Sequence, residues 1–168
     1  MTTAATPSGK RSRRTRRRLI IGIVGVGLAV AATVGWYVST GPRADTGVAA
    51  VRTDDLSTVG KVLVDQRGQV LYLFEPDEPG VVTCTGFCAR RWPPLTLAPG
   101  QSTPDLGDGV DESLIDLAPG EDGAQVVTYN GSPLYRYSSD DIGEATGHDE
   151  DLNGGRWYAI TPEGEQAP

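Results

Sequence analysis

Two cysteines, one histidine and a run of acidic side chains are the residues best suited to chemistry in this 168-residue chain. Cys84 and Cys88 are its only cysteines. In an exported chain, such a pair is most simply a disulfide that staples a short loop. If both thiols stay reduced, the C-x3-C spacing could hold copper once a histidine or methionine completes the set. The only histidine is His148, so Cys84, Cys88 and His148 form a candidate copper or redox site. The plainer reading of His148 is a solvated histidine in an acidic loop. Asp149-Glu150-Asp151-Leu152-Asn153-Gly154 matches the opening of a calcium loop, with oxygens from Asp149, Asp151 and Asn153 facing one hard cation. The twelfth position of that loop should be a bidentate Glu and is Ile160. Asp140, Asp141 or Glu144 could complete the site; otherwise the segment is a solvated acidic loop.

No nucleophile elbow, zinc-helix motif or phosphate-binding glycine loop is visible, so no enzyme is expected. No cofactor is expected beyond a candidate metal ion. Asp77 and Asp140 each close a strand and precede a glycine by three residues, which suits carboxylates that cap their own turns. Tyr72, Phe74, Trp92, Tyr135, Tyr137 and Trp157 read first as core. An aromatic surface for glycans or another polymer is the alternative.

The elements that must position these residues come in two copies. The segment from Gly60 to Gly80 recurs from Gly123 to Gly143 without a gap, with seven identities, among them Leu71-Tyr72 on Leu134-Tyr135 and Asp77 on Asp140. In the first copy, Lys61–Asp65 and Gln69–Glu75 flank Gln66-Arg67-Gly68. In the second, Gln125–Tyr129 and Pro133–Ser138 flank Asn130-Gly131. Both patterns predict a β-hairpin, and Asn-Gly is its strongest two-residue turn signal. Alternation along a strand puts Tyr72 and Phe74 on one face and Leu71 and Leu73 on the other. The same holds for Tyr135 and Tyr137 against Leu134 and Arg136. Each hairpin leads through an Asp-containing turn and a loop to a Trp-bearing strand. A connector over 96–122 holds one helical turn near Glu112–Leu117, and a frayed tail starts at Pro162. A lone hairpin cannot bury an apolar face, so each copy needs the other. The expected fold is all-β: one small domain of two β-hairpin repeats related by an approximate internal twofold.

Charge divides the chain. Residues 1–18 hold seven basic residues and no acid, leaving eight basic residues against 22 acids in the rest, a net charge of −14. So acidic a domain repels phosphate backbones, which argues against nucleic-acid binding. Residues 19–38 carry no charge. As a helix rising about 1.5 Å per residue they would cover the ~30 Å hydrocarbon core. Trp36 and Tyr37 suit an interfacial belt, and the basic block puts the N-terminus in the cytoplasm. Ala29-Val30-Ala31 offers a signal-cleavage site, and Thr15-Arg16-Arg17-Arg18-Leu19-Ile20 resembles a twin-arginine export signal. Every version exports residues 39–168. The expected organisation is a basic cytoplasmic tail over 1–18, a transmembrane anchor over 19–38, a linker over 39–55 and an extracytoplasmic β-domain over 56–164. Within that domain the repeats run over about 56–95 and 120–162. The domain is held at the cell membrane by a single pass, with the C-terminal part outside, or is secreted if the signal is cleaved.

Tyr72-Leu73-Phe74-Glu75-Pro76-Asp77 and Tyr135-Arg136-Tyr137-Ser138-Ser139-Asp140 both fit Y-x-[FWY]-x-x-D, and Cys84-x3-Cys88 and Trp92-Pro93-Pro94-Leu95 lie just past the first. This combination resembles the bacterial secreted-repeat lipoproteins that carry this motif, a family of unassigned function. The resemblance covers about 56–164 and implies a secreted or surface-attached β-domain. Many relatives carry a lipidated cysteine after the signal. Here none precedes Cys84, so the apolar helix takes the anchor's place. The function expected is a non-enzymatic binding or cell-envelope interaction module with an unknown envelope or surface ligand. The alternative is a copper- or calcium-binding or redox accessory protein.

Overall fold

The computed structural model describes residues 47–168, which belong to one compact unit. The basic tail, the apolar stretch over 19–38 and most of the linker lie outside the described residues. Among those described, no helix is long and apolar enough to cross a membrane.

The chain is mostly strand. In order, it forms β1 (Ala50–Leu56), β2 (Gly60–Val64), β3 (Tyr72–Phe74), the short helix α1 (Phe87–Arg91) and β4 (Asp105–Leu106). Next come β5 (Ile115–Pro119), β6 (Gln125–Tyr129), β7 (Ser132–Pro133), β8 (Glu150–Leu152) and β9 (Gly155–Ala159). Three small sheets result, ordered β2-β1-β4, β3-β9-β8 and β5-β6-β7. The linker expected over 39–55 ends earlier than its composition suggests. β1 begins at Ala50, pairs antiparallel with β2, and buries Ala50 and Val51. β4 runs alongside, parallel to β1. The turn expected over Glu112–Leu117 is a 3-10 turn over Glu112–Leu114 only. Ile115 onward forms β5, because Ile115, Leu117 and Ala118 pair with β6.

The two copies are built by exchange. In the first hairpin, Leu71 N–H donates to Leu63 O, while Leu63 N–H donates to Ile160 O from the second copy. In the second hairpin, Leu134 N–H donates to Val127 O, while Val127 N–H donates to Leu95 O from the first. Each Trp-bearing strand therefore completes the hairpin of the other copy. β3 pairs with β9 through Tyr72↔Ala159 and Phe74↔Trp157, and Tyr135 bridges Pro94 in the corresponding place. Two central prolines leave the Trp92 strand few N–H groups, so it makes isolated bridges where β9 makes a ladder.

These bonds also correct the ungapped alignment. Leu63 corresponds to Val127, one position beyond the constant offset, while Leu71 corresponds to Leu134. The first turn holds one more residue than the second. Asp65 N–H donates to Gln69 O across Gln66-Arg67-Gly68. Tyr129 pairs with Ser132 across Asn130-Gly131, whose φ values of 48° and 82° suit the primed two-residue turn that sequence predicts.

Strand alternation sorts the core into two clusters. One gathers Tyr72, Phe74, Trp92, Tyr135, Tyr137 and Trp157 with Cys84. The other gathers Leu63, Leu71, Leu73, Leu95, Val127, Leu134 and Ile160. The tail is not frayed. Ala167 N–H donates to Ala159 O, Ile160 bridges Gln166, and Ala167 is buried, which ties the last residues to β9.

Candidate functional site

The repeated motif forms the centre of the molecule. Phe74, Trp157, Trp92 and Tyr137 make one continuous stack, with centroid separations of 4.2, 3.9 and 4.2 Å. The two tryptophans are parallel within 1°. Exchanging the copies maps this stack onto itself, so the internal twofold passes between the indole rings. Tyr72 meets the edge of Trp92, and Tyr135 that of Trp157, in T-shaped contacts of 5.4 and 5.2 Å. Both tyrosines and both tryptophans are fully buried. Such pairs contribute about 0.5–1.5 kcal/mol each beyond burial of their area. The aromatics expected as core are core.

The motif aspartates tie the copies together. The Tyr72 hydroxyl donates to Asp140 Oδ2, and the Tyr135 hydroxyl donates to Asp77 Oδ2. The other oxygen of each carboxylate holds its own loop. Thr83 N–H and hydroxyl donate to Asp77 Oδ1, and Thr146 N–H and hydroxyl to Asp140 Oδ1. The turn-capping role expected for Asp77 and Asp140 is half of their work. The other half is a bond to the opposite copy, which sequence reasoning missed. The equally spaced threonines at positions 83 and 146, both six residues past their aspartates, were the available signal.

Burial first, and then the hydrogen bond to an aspartate, push the Tyr72 and Tyr135 hydroxyls far above the usual phenol range. Burial also raises the Asp140 carboxyl, against the downward pull of Thr146 and Tyr72. A Cβ on Gly147 would stand 2.7 Å from the Trp92 ring, so this loop approaches the stack only as glycine.

The candidate metal ligands are otherwise engaged. Cys84 and Cys88 are joined in a disulfide, so neither offers a thiolate. His148 Nδ1 accepts Ala159 N–H at 3.2 Å, and its ring packs edge-on against Tyr158. The expected calcium hexapeptide is instead a β-hairpin. Glu150 and Asp151 lie in β8, paired with Trp157 and Arg156, and Asn153-Gly154 turn back with φ of 59° and 91°. Asn-Gly favours that hairpin over an ion loop. Asp149 pairs with Arg156. Among the described residues, no group of three or more His, Cys, Asp or Glu side chains is arranged to hold a metal.

The copies differ outside the stack. Trp157 Nε1 donates to Leu152 O at 3.0 Å, whereas Trp92 Nε1 is buried with no partner among the described residues. The first copy has α1 and the disulfide loop where the second has β8, and so lacks the carbonyl. Around α1, Phe87 is 81% exposed beneath the Arg90 guanidinium. A second difference is a cleft of about 460 Å3 between the first turn and the Trp92 strand, lined by residues that include Gln66, Arg67, Gln69, Pro93, Leu97 and Arg136.

No curated protein and no solved structure matches the chain. A family model described as a secreted repeat of unknown function matches twice, over residues 55–96 and 117–161, together half of the chain. The two matches fall on the two exchanged copies, each from its first hairpin to its Trp-bearing strand. The chain belongs to this family of secreted repeats.

Proposed function

We propose that this protein is a non-enzymatic binding module displayed outside the cell, held at the membrane by residues 19–38 and directed at a component of the cell envelope. The observation that carries this reading is how the reactive groups are used. Both motif tyrosines, both motif aspartates, both cysteines and His148 are spent on internal bonds. What the domain offers to a partner is its surface clefts. The family's secreted character supports an extracytoplasmic place. The net charge of −14 beyond residue 18 argues against nucleic acid as partner.

Isolated envelope material, titrated with the full chain, should retain it saturably, and washing with chelator should not release it. Absence of saturable retention, or one tightly held metal ion per chain in protein prepared without chelator, would sink the reading. On intact cells, added protease should remove the domain and spare the N-terminus. A protected domain would overturn the orientation.

A further inference from the structure

We infer that the cleft beside the first hairpin turn is a binding site for a small anionic ligand, or for the anionic end of a larger one. Its carboxylate or phosphate sits on Arg136, and a neighbouring N–H or O–H of the same ligand donates to Gln66. This rests on the reading of the domain as a binding module and names the site and ligand chemistry.

The internal repeat supplies the evidence. Where two copies share one fold, a residue the fold needs recurs in both. Arg136 stands where the first copy has Leu73, which is buried in the aliphatic cluster. Asp65 stands where the second copy has Tyr129, and Gln66 is the extra residue of the first turn. Leu and Tyr satisfy the fold at these positions. The first turn and Arg136 instead bring an ion pair into the interior, at a desolvation cost that seldom adds stability.

The pair is arranged to aim the guanidinium. Asp65 is fully buried. Its Oδ1 accepts the N–H groups of Arg67, Gly68 and Gln69 at 2.8, 3.1 and 3.0 Å. Its Oδ2 accepts Arg136 Nε at 2.6 Å. Arg136 is further fixed by its backbone N–H, which donates to Pro93 O at 3.0 Å. Among the described residues, only Nε of the guanidinium finds a partner. The two terminal nitrogens keep the forked geometry that suits carboxylate and phosphate oxygens. Gln66 is 8% exposed, and its side-chain carbonyl oxygen has no partner among the described residues. A buried acceptor without a donor costs about 1–3 kcal/mol, which a ligand N–H or O–H would relieve once the Gln66 amide turns out to meet it.

The cleft is also the electrostatic exception in an acidic domain. Among the described residues that line it, none is an acid. Glu75, Asp77 and Glu165 line a cleft in the other copy, beside Leu73 and Asn130. Pro93 and Leu97 give the basic cleft an apolar flank for the rest of the ligand.

The full chain should be titrated separately with N-acetyl-dialanine, a carboxylate with amide N–H groups, and with glycerol 3-phosphate, a phosphate with hydroxyls. The side-chain nitrogen signals of Arg136 and Gln66 report binding. At least one probe should shift both signals saturably at millimolar concentration, and the one that does so identifies the anion. Gln66→Met, which keeps the volume and removes the acceptor, should weaken binding about ten- to hundredfold with the melting temperature kept. Asp65→Asn with Arg136→Leu should abolish it in a chain that still melts cooperatively. The inference is overturned if neither probe shifts these signals, or if both variants bind like the parent. Envelope retention with neither probe bound overturns it, while leaving the binding-module reading intact. Probe binding without envelope retention would leave the site standing and remove that broader reading.

Discussion

At the scale of single residues, the motif Y-x-[FWY]-x-x-D is a fastening. Tyrosine supplies a ring for the stack and a hydroxyl for the aspartate of the other copy, and phenylalanine could do only the first. Tyr72→Phe and Tyr135→Phe should each cost about 1.5–3 kcal/mol, the range for a hydrogen bond to a charged group. Tyr72→Ala and Tyr135→Ala, which also open a cavity, should cost on the order of 3–5 kcal/mol. Denaturant melts check both, and variants that melt like the parent would mean the pairs are not formed. The raised tyrosine hydroxyls add a pH dependence. Their folded pKa values exceed the unfolded value of about 10, so their contribution is whole below that pH and is lost as pH rises above it. Absorbance at alkaline pH should show Tyr72 and Tyr135 ionising only as the domain unfolds. Free titration of every tyrosine in a still-folded chain would contradict their burial.

At the scale of elements, the two hairpins, the positions of their turns, and the split of Tyr72 and Phe74 from Leu71 and Leu73 were all legible. They follow from period-two alternation and from turn chemistry, both local properties. The exchange of the Trp strands was not legible, because nothing local distinguishes a strand returning to its own hairpin from one crossing to its twin. The one-residue shift was hidden for a related reason: Gly60 and Val64 match Gly123 and Val127 in letters, while hydrogen bonding sets the register. The acidic hexapeptide misled because its Asn-Gly ends serve a hairpin as well as an ion loop. The helix α1 was missed because five residues, Phe87–Arg91, hold too little periodicity to read. Closure of the Cys84–Cys88 loop holds this helix against the aromatic stack. Freshly isolated protein should show no free thiol until reduced. Reduction should cost stability toward the low end of the usual range of about 2–4 kcal/mol, since so short a loop restrains little unfolded-chain entropy. Two reactive thiols without reductant would contradict the bond.

For the whole molecule, the exchange makes each half incomplete. The first copy takes Ile160 onto Leu63 and Leu71, and the second takes Leu95 onto Val127 and Leu134. Trp92 and Trp157, one from each half, stack at the centre. A half alone would expose the flat face of its tryptophan and leave its motif tyrosine without an aspartate. It would also keep an open sheet edge where its partner's strand belongs, and so could not offset the entropy of ordering its chain. Unfolding should therefore be one cooperative transition, although the family model recognises two separate repeats. The connector between Gly107 and Val110 is the place to test this, since it lies between β4 and β5, away from the stack. A chain cut there into two fragments should give two species without fixed aromatic circular dichroism. Mixing them in equal amounts should restore the signal of the stacked tryptophans, with a midpoint that rises with fragment concentration, as mass action requires. A fragment that melts cooperatively alone would show that a repeat is a domain in its own right. Because Arg136 comes from one half and Gln66 from the other, the basic cleft should appear only in the mixture.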